Sequence, residues 1–153
     1  MNGEACGESH HSRVRLSTVL LTISLGLLLT AAPQGKVLVV SALEAQGATA
    51  AQLATVRDAV LAELKSQGYD ARVAELGTPK GAAGRVDGAL VLVGETFEVA
   101  LKLQDLGSSK ILSTTRVRCG SPGKLAEAAR EAASQLASEG REQWGVRAKF
   151  KPK

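Results

Sequence analysis

Residues 97–105 (FEVALKLQD) alternate Phe97, Val99, Leu101 and Leu103 with Glu98, Ala100, Lys102 and Gln104. Successive strand side chains point to opposite faces, so this period of two marks a strand with one buried and one wet face. Such a strand needs neighbours for its backbone and a layer over its apolar side. Residues 89–93 precede it across the turn Gly94-Glu95-Thr96, and residues 110–119 follow it across a turn at 106–109. The stretch 87–119 therefore reads as a three-stranded antiparallel meander.

Side chains fix the expected register. In residues 110–119 the set Ile111, Ser113, Thr115, Val117 and Cys119 is apolar or small, whereas Leu112, Thr114, Arg116 and Arg118 is more polar. For the first set to share a face with Val99 and Leu101, paired positions must sum to an even number, as with Val99 opposite Val117 or Thr115. A slip of one residue would set Arg116 and Arg118 against Val99 and Phe97. This predicts a five-residue connection or a bulge at 105–109.

Upstream, Val37-Leu38-Val39-Val40 is a short apolar run suited to a central strand covered on both faces, followed by a loop over 41–48. Thr49 and Gln52 make a capping box, and Leu53, Val56, Val60, Leu61 and Leu64 fall on one helical face that ends at Gly68. Residues 69–76 alternate as a strand, with Tyr69, Ala71 and Val73 on one side. Strand, helix, strand is a crossover unit, so these two strands should be parallel and joined right-handedly. Residues 77–84 (GTPKGAAG) read as a surface connection, since Lys80-Gly81-Ala82 lacks the Gly-Lys-Ser/Thr ending of a phosphate loop. Ser121 and Pro122 open a second helix, with Leu125, Ala129, Ala132 and Leu136 on its inner face and an end near Gly140. The expected class is α/β with α+β character: a mixed sheet of about five strands, order β-α-β-β-β-α, with two helices on one face, over residues 36–140.

The ends have a different character. Residues 1–15 are polar and carry Arg13 and Arg15, and residues 16–32 are uncharged and apolar, the layout of a secretory leader over 1–33. That run is short for a membrane span, and Pro33 stands just after the best cleavage point. A cleaved leader and an uncleaved anchor through 16–32 both stay open. Either delivers the domain to the periplasmic side, exported or anchored in the inner membrane. At the other end, residues 141–153 form a basic tail that carries Arg141, Arg147, Lys149, Lys151 and Lys153 against Glu142. This tail alone accounts for the net charge of +4, so the rest is near neutral and no basic nucleic-acid-binding face is expected.

Little chemistry is visible. Loss of the leader removes His10 and His11, so no Ser-His-Asp, Cys-His or His-based metal site remains, and it leaves Cys119 without Cys6 as a disulfide partner. Asp58, Glu63, Glu75, Glu98 and Glu127 fall at solvent-facing positions, and Glu95 and Asp105 lie in turns. No catalytic, cofactor-binding or metal-binding residue is assigned, and no enzyme activity is expected. Candidate interaction residues are Glu98, Lys102, Gln104, Arg116 and Arg118 on the wet face of the meander, Trp144 as an anchor or as a ring tucked over the domain's edge, and Arg147, Lys149 and Lys151 in the tail.

Lys36 to Val40 leading into the 49–67 helix, DGALVLVG at 87–94, FEVALKLQD at 97–105 and KILSTT at 110–115 together resemble the amino-terminal domain of TolB and related small periplasmic domains. The resemblance covers residues 36–138. It departs where such domains place a further helix before the meander, and no propeller follows. What it implies is an envelope interaction or scaffolding module without catalysis, its partner an unknown envelope protein or polymer. The alternative is a membrane-anchored domain whose basic tail binds an acidic polymer or lipid surface.

Overall fold

The structure, a computed structural model, describes residues 35–74 and 77–149, the last four through their backbone alone. The leader over 1–33, Glu75 and Lys151 lie outside the described residues.

Phe97, Val99, Leu101 and Leu103 are buried on the middle strand of the meander, β5 (Thr96–Asp105), while the residues between them stay partly exposed. β5 pairs antiparallel with β4 (Gly84–Val93) across the two-residue turn Gly94-Glu95, and with β6 (Ile111–Cys119) across residues 106–110. Val99 stands opposite Val117, and the even register holds from Phe97↔Cys119 to Leu103↔Ser113. The next pair is Gln104↔Ile111, so Leu112 is the extra residue of a bulge. The bulge therefore lies inside β6 rather than in the turn. It lets Leu112 be buried while Ile111 stays exposed.

β1 (Val37–Val40) is the inner strand, parallel to both β3 (Asp70–Val73) and β4. One strand was not foreseen: β2 (Glu44–Gln46) pairs parallel with β4 at Ala89–Val91, where the sequence reads as loop. β1 and β2 thus follow one another along a single edge of β4. Between them the Ser41 amide donates to the Val86 carbonyl at 2.9 Å, which carries the pairing across the break. The sheet has six strands, in the order β3-β1-β4-β5-β6 with β2 beside β4.

Both helices cover one face of this sheet. α1 (Ala50–Ser66) starts at the expected capping box: the Gln52 amide donates to the Thr49 hydroxyl at 3.3 Å and the Thr49 amide to Gln52 Oε1 at 2.9 Å. Val56, Val60 and Leu64 of α1 join Leu38, Val40, Val86 and Leu90 of the sheet. After a 3-10 turn (Pro122–Lys124), α2 (Leu125–Lys149) lays Leu125, Ala129, Ala132 and Leu136 on β5 and β6. No buried side-chain nitrogen or oxygen among the described residues lacks a hydrogen-bond partner.

α2 does not end near Gly140. It continues to Lys149, because the glycine there serves close packing: a β-carbon at position 140 would meet the δ-methyl of Leu103. The continuation carries Trp144 onto the helix-covered face. Its ring is part-buried, 6.2 Å from that of Tyr69 between centroids, with Lys36 Nζ 4.2 Å from its own centroid. Nε1 donates to Asp105 Oδ1 at 3.3 Å. Room for the ring comes from Gly84, where a β-carbon would stand 3.1 Å from two indole carbons. Gly84 is thus the first residue of β4 and not the last of a loop.

Candidate interaction face

The face without helices is built by strand alternation. Register places Arg85 beside Gln104, Asp87 beside Lys102, Ala89 beside Ala100 and Val91 beside Glu98 on β4 and β5. β6 continues these rows with Thr114 beside Lys102, Arg116 beside Ala100 and Arg118 beside Glu98. Glu44 of β2 closes the Ala89 row on the far side. The smallest side chains fall at the centre, so charged groups stand around a floor made by Ala89 and Ala100.

Two carboxylates each hold two cations. Asp87 receives Arg85 Nε at 2.6 Å and Lys102 Nζ at 3.5 Å; Glu98 receives Arg118 Nε at 2.8 Å and lies 4.0 Å from Arg116 Nη1. The acids are sunk, with side chains only 24% and 17% exposed, whereas Arg116 and Arg118 are 71% and 76% exposed. What a partner would meet here is mainly guanidinium. Exposed ion pairs contribute about 0–1 kcal/mol each, so these groups hold the face in shape more than they hold the fold together. Between them lies a shallow depression of about 270 Å³ lined by Glu44, Asp87, Ala89, Ala100, Lys102 and Arg116.

The Asp87 carboxyl shows the balance. Partial burial acts to raise its pKa, but hydrogen bonds from Arg85 and Ser41 and the charges of Arg85 and Lys102 together outweigh it, and the net shift is downward. A depressed folded pKa contributes stability above the unfolded carboxyl value near 3.9, and that stability is lost as pH falls through the folded value. The stability difference between wild type and Asp87→Asn is therefore expected to be largest at neutral pH and to close below about pH 4. Urea unfolding at a series of pH values measures it; a constant difference would show that Asp87 is not coupled to Arg85 and Lys102.

The structure brings Glu98, Lys102, Arg116 and Arg118 together on this face. Gln104 instead turns to the loop, where Nε2 donates to the Ser109 carbonyl at 3.0 Å. Trp144 lies on the opposite side of the sheet, part-buried over the domain's edge. Arg147 and Lys149 fall in the last turns of α2. Arg85, Asp87 and Glu44 belong to the face but were not singled out in the sequence. The signal for the first two was available, since Arg85 and Asp87 continue the alternation of β4 once its start is moved back to Gly84. Among the described residues no three His, Cys, Asp or Glu side chains cluster as a metal site would, and Cys119 is a buried free thiol.

No protein-family model matches the chain, and no curated protein matches it. Several solved structures do. A point variant of the PelC dodecamer from Paraburkholderia phytofirmans is 16% identical with a TM-score of 0.55, over 69% of this chain and 89% of that one. TolB from Acinetobacter baumannii is 13% identical with a TM-score of 0.52, over 74% of this chain and 29% of that one. At such identities the likeness is one of fold. In fold the chain resembles the TolB amino-terminal domain, as an α/β domain with a mixed sheet and two helices on one face.

Proposed function

We propose that this chain is a non-enzymatic interaction or scaffolding module of the cell envelope, exported to the periplasmic side, which docks its partner on the helix-free face of the sheet. The observation that carries the reading is the charge arrangement of that face: exposed Arg116 and Arg118 over a sunken Glu98, next to the Ala89–Ala100 floor. Resemblance in fold to PelC and TolB supports it, and PelC is a dodecamer, which makes self-assembly one form that scaffolding would take here.

The test is co-sedimentation of the full-length chain with isolated envelope membranes and with peptidoglycan, wild type against the double substitution Arg116→Glu, Arg118→Glu. Wild type is expected to sediment with one of these fractions and the variant to lose at least about tenfold in affinity, a change of about 1.4 kcal/mol. No sedimentation, or equal sedimentation of the two proteins, would overturn the reading.

A second reading is an anchored domain that binds an acidic polymer or lipid surface through its basic end. It is favoured by the continuation of α2 to Lys149, which makes Arg147 and Lys149 part of a helix. Deleting residues 147–153 would then abolish salt-sensitive sedimentation that the sheet-face variant keeps.

A further inference from the structure

We propose that the free edge of β6 accepts an extended acidic segment of a protein partner, added to the sheet as a further strand. This rests on the interaction reading above and names the chemistry of the partner.

β6 is the last strand of the sheet: it pairs with β5 on one side, and among the described residues no strand lies on the other. An uncovered edge strand presents alternate amides and carbonyls, a template for another extended chain. The opposite edge, β3, has only four residues, against nine in β6. β6 is also held firmly. The Thr115 hydroxyl donates to the Ala132 carbonyl of α2 at 3.1 Å, and the Ser113 hydroxyl bonds to Glu139 of the same helix. A fixed edge loses little conformational freedom when a second chain pairs with it.

Side chains on β6 select the occupant. Arg116 and Arg118 stand two residues apart on the helix-free face and are exposed, each already paired on its inner side with Glu98. A strand laid outside β6 would bring its own alternate side chains directly opposite them, where carboxylates are favourable and cations are not. A second copy is disfavoured on the same ground. Antiparallel β6–β6 pairing with the sheet faces aligned would gather two arginines from each copy on one face of the seam. Toward the other face the incoming strand meets a groove of about 260 Å³ between β6 and the start of α2, lined by Val117, Arg118, Cys119, Lys124, Glu127 and Glu131. Mixed charge there suits small polar side chains. The matching segment is therefore extended, acidic at every second position and small and polar between.

The experiment measures fluorescence anisotropy of a labelled nine-residue peptide alternating Thr and Glu against the full-length chain. Saturable, salt-sensitive binding with Kd below about 1 mM is expected. Two changes should each weaken it at least about tenfold: methylation of alternate backbone nitrogens of the peptide, which removes ladder hydrogen bonds while keeping charge, and the Arg116→Glu, Arg118→Glu variant. Circular dichroism of the variant confirms its fold, and Lys65→Glu, in the last turn of α1 and away from β6, should stay within about twofold. Equal binding of the methylated peptide, equal binding of a peptide with its glutamates in one block, or no binding would overturn strand addition. Binding of polygalacturonate in place of the peptide would overturn it in favour of an acidic polysaccharide. Envelope co-sedimentation that persists while the peptide fails would remove this proposal and leave the broader reading standing.

Discussion

Replacing Leu103 with alanine is expected to destabilise the domain by about 3 kcal/mol, and adding alanine at position 140 is expected to return part of that loss. Leu103 is 1% exposed and points from β5 at the backbone of α2, where Gly140 leaves space for its δ-methyl. Truncation removes transfer energy and opens a cavity beneath a long helix that cannot easily collapse into it. Alone, Gly140→Ala sets two effects against each other. Helix propensity favours alanine by about 1 kcal/mol. Overpacking against Leu103 costs about 1–3 kcal/mol. The single variant should therefore be neutral to destabilising, whereas in the Leu103→Ala background the added methyl enters vacated space and should stabilise. Urea unfolding of all four proteins reads the coupling. If the two changes simply add, Gly140 does not receive Leu103, and the packing of α2 on β5 described here is wrong.

Trp144→Ala is expected to cost about 2–3 kcal/mol, somewhat less than a fully buried tryptophan because the ring is only part-buried. The loss has three sources. The ring packs on Gly84 and Tyr69, it lies under Lys36, and its N–H satisfies Asp105 at 3.3 Å. Trp144→Phe keeps an aromatic ring but drops the N–H and the outer ring carbons that pack on Gly84, and should lose about 1–2 kcal/mol. The position also decides where the domain stops. Were residues 141–149 a solvated tail, truncating Trp144 would change stability by less than about 0.5 kcal/mol in thermal or urea unfolding.

The meander and the α1 cap were legible because their signals are local: strict alternation over 97–105, and Thr49 with Gln52 at capping-box spacing. Register followed from keeping Arg116 and Arg118 off the apolar face, and Val99 does stand opposite Val117. β2 was not legible, since Glu44, Ala45 and Gln46 are all exposed and carry no apolar pattern; that strand exists only because β4 extends past the end of β1. Gly140 and Gly84 misled for one reason. A glycine that ends an element and one that admits a large neighbour look alike until Leu103 and Trp144 are in place. On the candidate face, Glu98, Lys102, Arg116 and Arg118 were readable from alternation. The place of Asp87 on that face follows from the same alternation, but its pairing does not, because that depends on Arg85 and Lys102 converging on it across two strands.

Lys36, just before β1, touches the ring of Trp144 in the last turns of α2, so the first and last described elements meet at one corner. A chain with that layout is a cassette. A short linker between residues 145 and 35 would close it into a ring without crossing the sheet, and new ends could be cut in the turn at Gly94-Glu95 with every strand pairing kept. The same geometry means that residue 35 and the last turns of α2 share one corner, so two attachments made there would hold the domain from one side.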